Sequence, residues 1–106
     1  MTKDDKQYLN DISSLGCVAC RIAGYGPTPA EIHHPREGQG MSQRAEHKSG
    51  IPLCPAHHRG THHPQIPSIH LDKSRFIRQF GTETALVEQT RREVAELRAN
   101  TIGRAS

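Results

Sequence analysis

The sequence predicts a small α+β domain organised around bound metal rather than around a large apolar core. Three observations lead there. Only 33% of the 106 residues are hydrophobic, with no Trp, two Phe and two Tyr, so a short chain has little bulk to bury and needs another source of stability. All three cysteines, all eight histidines and all seven prolines fall between Gly16 and His70. Helical periodicity precedes and follows that stretch, while short apolar runs punctuated by Gly and Pro occupy it.

The elements follow in order within a single domain spanning 1–106. Over 2–15, Tyr8, Leu9, Ile12 and Leu15 recur at helical spacing, with Thr2 as N-cap and Gly16 as the stop. In the middle segment, 16–70, Ala30 to His33 and Ser49 to Leu53 are the candidate strands, and Pro52 confines the second to an edge or a strand end. The last part, 72–99, reads as two helices. Asp72 caps a short one through Phe76, Ile77 and Phe80, which Gly81 stops; Thr82 caps a longer one with Leu86, Thr90, Val94 and Leu97 on one face. Its Arg91, Arg92 and Arg98 read as a solvated face, with DNA contact as the alternative.

An odd number of cysteines and the lack of a signal-like apolar stretch argue against a secreted disulfide scaffold. The expectation is a cytoplasmic protein whose thiols bind metal. No segment approaches the roughly 18 apolar residues of a membrane span. The net charge of +3 is compatible with a polyanionic partner and is shared by many proteins without one.

Cys17-x-x-Cys20 and Cys54-x-x-His57 have the form of two zinc knuckles. Each pair sets two ligands on one side of a tight turn, and the two pairs complete a closed tetrahedral structural site for Zn²⁺. A redox C-x-x-C would call for a thioredoxin-like βαβ surrounding, which the sequence lacks. Seven histidines remain: His33-His34, His47, His58, His62-His63 and His70. An open catalytic metal site needs about three of them.

Glu31-Ile32-His33-His34 followed by Ile51-Pro52-Leu53-Cys54-x-x-His57-His58 resembles the HNH (ββα-metal) endonuclease motif. More narrowly, the run from Leu15 through Gly81 is similar to the recombinase-dependent (recombination enhancement) nucleases of phages and prophages. The matching pieces are Pro29-Ala30-Glu31-Ile32-His33-His34, Gly40-Met41-x-Gln43-Arg44-Ala45-x-His47, Ile51-Pro52-Leu53-Cys54-Pro55-x-His57-His58-Arg59, Ile69-His70 and Phe80-Gly81-Thr82-Glu83. The resemblance implies a ββα-metal, treble-clef-like core with a structural zinc knuckle, flanked by an N-terminal helix and C-terminal helices. It also implies a DNA endonuclease that hydrolyses phosphodiester bonds with one metal ion. DNA is the implied partner, and a recombinase filament is one that the resemblance alone adds.

Carried over by position, the resemblance makes His34 the general base, and His33 and His58 ligands of a catalytic divalent cation such as Mg²⁺, Mn²⁺ or Zn²⁺. The third ligand stays open. Spacing favours His62, one helical turn beyond His58, while the family's Ile-His unit favours His70, with His62 or His63 as substitute. Arg44 and Arg59 are the candidates for holding substrate phosphates, with Lys48 beside them. Two departures stand out. The asparagine that gives HNH its name is absent, with Ser49 near its position and His47 the substitute for its hydrogen bonds. The loop from Arg59 to Ser68 is also longer than the family's. The rival readings are a zinc-binding module that contacts nucleic acid without cutting it, and a metal-buffering or redox protein, since His-rich tracts bind metals loosely. The first leaves His33, His34, His58 and His70 without a purpose, and the second predicts affinity for several ions without nuclease activity.

Overall fold

The first helix begins where the sequence places its cap. In the computed structural model, which describes residues 2–35, 49–60 and 65–105 (101–105 by backbone alone), α1 spans Lys3–Leu15. Thr2 Oγ1 accepts the Asp5 N–H at 3.1 Å while the Asp5 carboxylate accepts the Thr2 N–H at 3.4 Å, a reciprocal capping box. Gly16 ends α1 at φ +81, and a Cβ there would lie 2.8 Å from Pro27 Cβ and 2.9 Å from Pro27 Cα. Only glycine lets the chain turn against Pro27 into the first cysteine.

A helix absent from the sequence expectations follows. Its cause is local: Cys17 Sγ accepts the Cys20 N–H at 3.4 Å, and Gly24 at φ +89 ends the element. This α2, Val18–Ala23, is too short for apolar periodicity to reveal.

Strands β1, Glu31–His33, and β2, Ile51–Leu53, pair antiparallel with Glu31 opposite Leu53, Ile32 opposite Pro52 and His33 opposite Ile51. Both are edge strands of a two-stranded sheet, which is how Pro52 is accommodated. Directly after β2, Pro55 opens α3, Pro55–His58, where a missing N–H leaves no intrahelical bond unmade. Helix α4, Lys73–Phe80, is capped by the Asp72 side chain and stopped by Gly81. Helix α5 runs Glu83–Ala105, past the expected end at 99. Thr82 Oγ1 caps it by accepting the Ala85 N–H at 3.1 Å.

Two apolar clusters hold these elements. The larger gathers Val18, Ile51, Leu53, Phe76, Phe80 and Leu86 around the buried cysteines. The smaller packs α1 on α5 through Tyr8, Ile12 and Val94, with Ile32 of β1 against it. Thr90 sits fully buried on the apolar stripe of α5 because its hydroxyl donates to the Leu86 carbonyl at 2.8 Å. The α5 arginines divide. Arg98 pairs with Asp11 of α1 at 2.8 Å and Arg91 donates to Ser49 at 3.4 Å, whereas Arg92 is simply exposed. On α2, Arg21 grips both oxygens of Glu93. Among the described residues no helix is long and apolar enough to cross a membrane.

Ile12 has no exposed surface, so Ile12→Ala is expected to cost about 2–5 kcal/mol through lost burial and the cavity left. A lowered urea midpoint with the zinc content unchanged would register it, since Ile12 belongs to the cluster away from the cysteines.

Candidate functional site

The two ends of one short turn serve two clusters. Helix α3 is preceded by Cys54 and carries His57 and His58 side by side. His57 points into the apolar interior, 2% exposed, with its ring edge-on to Phe80 at 5.2 Å between centroids. His58 is half-buried and faces a cleft.

On the interior side, Cys17, Cys20, Cys54 and His57 bring their ligand atoms within 4.8 Å of one another. His57 Nδ1 lies 3.7 Å from Cys17 Sγ, 3.5 Å from Cys20 Sγ and 3.2 Å from Cys54 Sγ, and Cys20 Sγ lies 3.7 Å from Cys54 Sγ. Zn–S bonds of about 2.3 Å and a Zn–N bond of about 2.0 Å in a tetrahedron require edges of about 3.8 Å between sulfurs and about 3.5 Å from sulfur to nitrogen. The four atoms already stand near that spacing, so the donor set fits a zinc ion. Burial pushes the Cys20 thiol up to about 12 and the Cys17 thiol in the same direction, and it lowers the His57 pKa. The surroundings alone therefore favour neutral thiols, and a bound cation reverses this by taking them as thiolates.

On the cleft side, His33, His58 and His70 form the second group whose ligand atoms approach within 4.8 Å. They come from three separate places: the end of β1, α3, and the turn before α4. The last is pinned by backbone bonds from Ile69 N–H to the His57 carbonyl at 2.8 Å and from His70 N–H to the His58 carbonyl at 3.3 Å. Gly60 at φ +96 lets the chain leave α3 beneath this turn; a Cβ there would meet Leu71 Cδ1 at 2.3 Å. Burial grades outward from His33, 8% exposed, through His58 to the exposed His70. The group lines a cleft of about 420 Å³ together with His34, Ile69, Lys73 and Glu83. Three imidazoles with an open side suit a metal that must also meet water and substrate.

Two carboxylates to which the sequence assigned no role contact the rings. Glu31 Oε1 lies 2.6 Å from His58 Nδ1 and also accepts from Arg59 Nε at 2.8 Å. Glu83 Oε2 lies 2.7 Å from His33 Nε2, and its other oxygen meets Lys73 Nζ at 2.9 Å. The His58 contact, with help from Arg59, holds the Glu31 carboxyl below its usual range. Burial pushes Glu83 up, but His33 and Lys73 outweigh it and leave it lowered. Burial also lowers the His33 pKa against the pull of Glu83, so a neutral, ligand-competent ring is favoured at neutral pH. The signals were present in the sequence. Glu31 stands two residues before His33 and so shares its strand face, and Glu83 continues the buried stripe of Leu86, Thr90 and Val94 backwards.

The remaining candidates divide. His34 lines the cleft. Arg59 is 65% exposed and pairs with Glu31 without itself lining the cleft. Arg44, His47, Lys48, His62 and His63 lie outside the described residues.

The model of the recombination enhancement, RecA-dependent nuclease family matches residues 1–95. No curated protein is similar enough to match. With nearly all of its core elements inside the matched span, the chain belongs to the recombination enhancement, RecA-dependent nuclease family.

Proposed function

We propose that this chain is an HNH-type endonuclease that hydrolyses DNA phosphodiester bonds by a one-metal mechanism, acting on DNA bound by a recombinase filament as its family's description suggests. The observation that carries the reading is the convergence of His33, His58 and His70 beside His34 in one cleft. The order β1, β2, α3 with a zinc knuckle at the strand-to-helix turn supports a ββα-metal core.

In this reading His33, His58 and His70 hold a divalent cation, Mg²⁺, Mn²⁺ or Zn²⁺. When bound, such an ion supplies positive charge to the scissile phosphate and to the departing 3′ oxygen. His34 does the proton work. Its neutral imidazole takes a proton from a water molecule as the water oxygen bonds to phosphorus and the bond from phosphorus to the 3′ oxygen breaks. Glu31 keeps the Nδ1 proton of His58 occupied, which leaves the Nε2 lone pair for the ion. Arg59, steadied by Glu31, and Arg44 hold neighbouring phosphates, where a guanidinium can grip two oxygens at once.

The test is cleavage of supercoiled plasmid and of recombinase-coated DNA by the zinc-loaded protein. Added Mg²⁺ or Mn²⁺ is expected to produce nicked or linear products, and His70→Ala to suppress them while the fold persists. Full activity in a strong chelator would sink the metal mechanism. Tight DNA binding without cleavage under every metal condition would favour the non-catalytic zinc module instead.

A further inference from the structure

We infer that Glu83 is a positioning residue that fixes which nitrogen of His33 carries the proton and, with its other oxygen, tethers Lys73 at the cleft wall. The inference rests on the metal-site reading above and adds to it a residue from the start of α5, far in sequence from the motif that defines the site.

A carboxylate only accepts hydrogen bonds. With Glu83 Oε2 at 2.7 Å from His33 Nε2, that nitrogen must carry the proton, and in the neutral ring the lone pair is left on Nδ1. Glu83 is well placed to enforce this, being only 4% exposed, with the ion pair to Lys73 Nζ at 2.9 Å occupying Oε1. Neither Glu83 nor Glu31 belongs to the group of ligand atoms that gather within 4.8 Å. Each instead contacts one ring, and the two rings are held by different nitrogens: Nε2 of His33 and Nδ1 of His58. Outer carboxylates of this kind orient metal-binding imidazoles and raise their basicity. The second arm matters as much. Lys73 lines the cleft, and the shared carboxylate holds its ammonium there.

Glu83→Gln separates the two arms without changing size. An amide has one accepting oxygen and one donating NH₂. If the oxygen turns to Lys73, the NH₂ faces His33 Nε2 and favours the opposite tautomer. If the oxygen turns to His33, the NH₂ faces an ammonium and Lys73 is released. A Glu83→Gln/Lys73→Met double variant removes that conflict and lets the amide oxygen return to His33.

The experiment uses the full chain with one zinc in the knuckle and two readouts that need no turnover: ring ¹⁵N spectra of His33, and Mn²⁺ affinity by titration. The wild type is expected to carry its His33 proton on Nε2. Glu83→Gln is expected to shift it toward Nδ1 and weaken Mn²⁺ binding by about 10- to 100-fold, and the double variant to recover both. A residue that merely stabilised α5 would lower the melting temperature without moving the tautomer or being rescued by Lys73→Met. An unprotonated Nε2 in the wild type, or wild-type spectra and Mn²⁺ affinity in Glu83→Gln, would overturn the inference. A wild type that binds no Mn²⁺ would overturn the metal reading, and the ring spectra would still decide the role of Glu83.

Discussion

A His34→Ala protein is expected to fold normally, keep one zinc per chain, and cleave DNA about 10²- to 10⁴-fold more slowly than the wild type, the usual contribution of a positioned general base. The expectation follows from location. His34 lines the cleft beside the converging histidines, yet it belongs to neither group of clustered ligand atoms. Its removal should therefore spare both metal sites. The comparison needs single-turnover rates at saturating Mg²⁺ or Mn²⁺, with melting temperature and zinc content measured on the same samples. An unchanged rate would remove His34 from the role of base. A matching loss of Mn²⁺ affinity would make it a ligand instead.

Cys54→Ala should do the opposite and take down the whole domain. Zinc bound at closed structural sites contributes about 10–16 kcal/mol of apparent binding energy at neutral pH, against a total folding stability of about 5–15 kcal/mol for an ordinary domain. The sulfur lies 3.2 Å from His57 Nδ1 and 3.7 Å from Cys20 Sγ, so its loss opens a tetrahedron embedded in the main apolar cluster. Because His57 and His58 are neighbours on α3, the damage should pass to the cleft. Zinc content is expected to fall, the cooperative thermal transition to be lost at ordinary temperatures, and Mn²⁺ binding at the cleft to vanish with it. Wild-type melting with one zinc retained would show that the knuckle does not hold the fold.

Much of this architecture was legible in the sequence because its signals are local. Thr2, Asp72, Thr82, Gly16 and Gly81 mark helix ends through bonds spanning a few residues, and the structure has them there. The two halves of the Cys3His cluster were legible for the same reason, since a C-x-x-C or C-x-x-H pair sets two side chains on one turn whatever surrounds it. Helix α2 was not legible: its six residues are stabilised by a thiol acting as cap, a role that propensity does not register.

The cleft is where sequence spacing gave way to tertiary contact. By spacing, His62 was the candidate beside His58, and the family's Ile-His unit pointed to His70; His62 lies outside the described residues. The structure brings His70 to the group through backbone bonds from Ile69 and His70 to the carbonyls of α3, a pairing across a loop that no periodicity encodes. The two carboxylates differ in the same way. Glu31 could have been found from its place on the face of β1, whereas Glu83 reaches His33 from 50 residues along the chain. The sequence by itself determined α1, α4, the start of α5 and the two local pairs Cys17-x-x-Cys20 and Cys54-x-x-His57, because each depends on residues close together in the chain. Only the tertiary structure decided how the two pairs meet and which distant residues reach His33 and His58, because that depends on how α4 and α5 pack beside the two-stranded sheet and the Cys3His cluster.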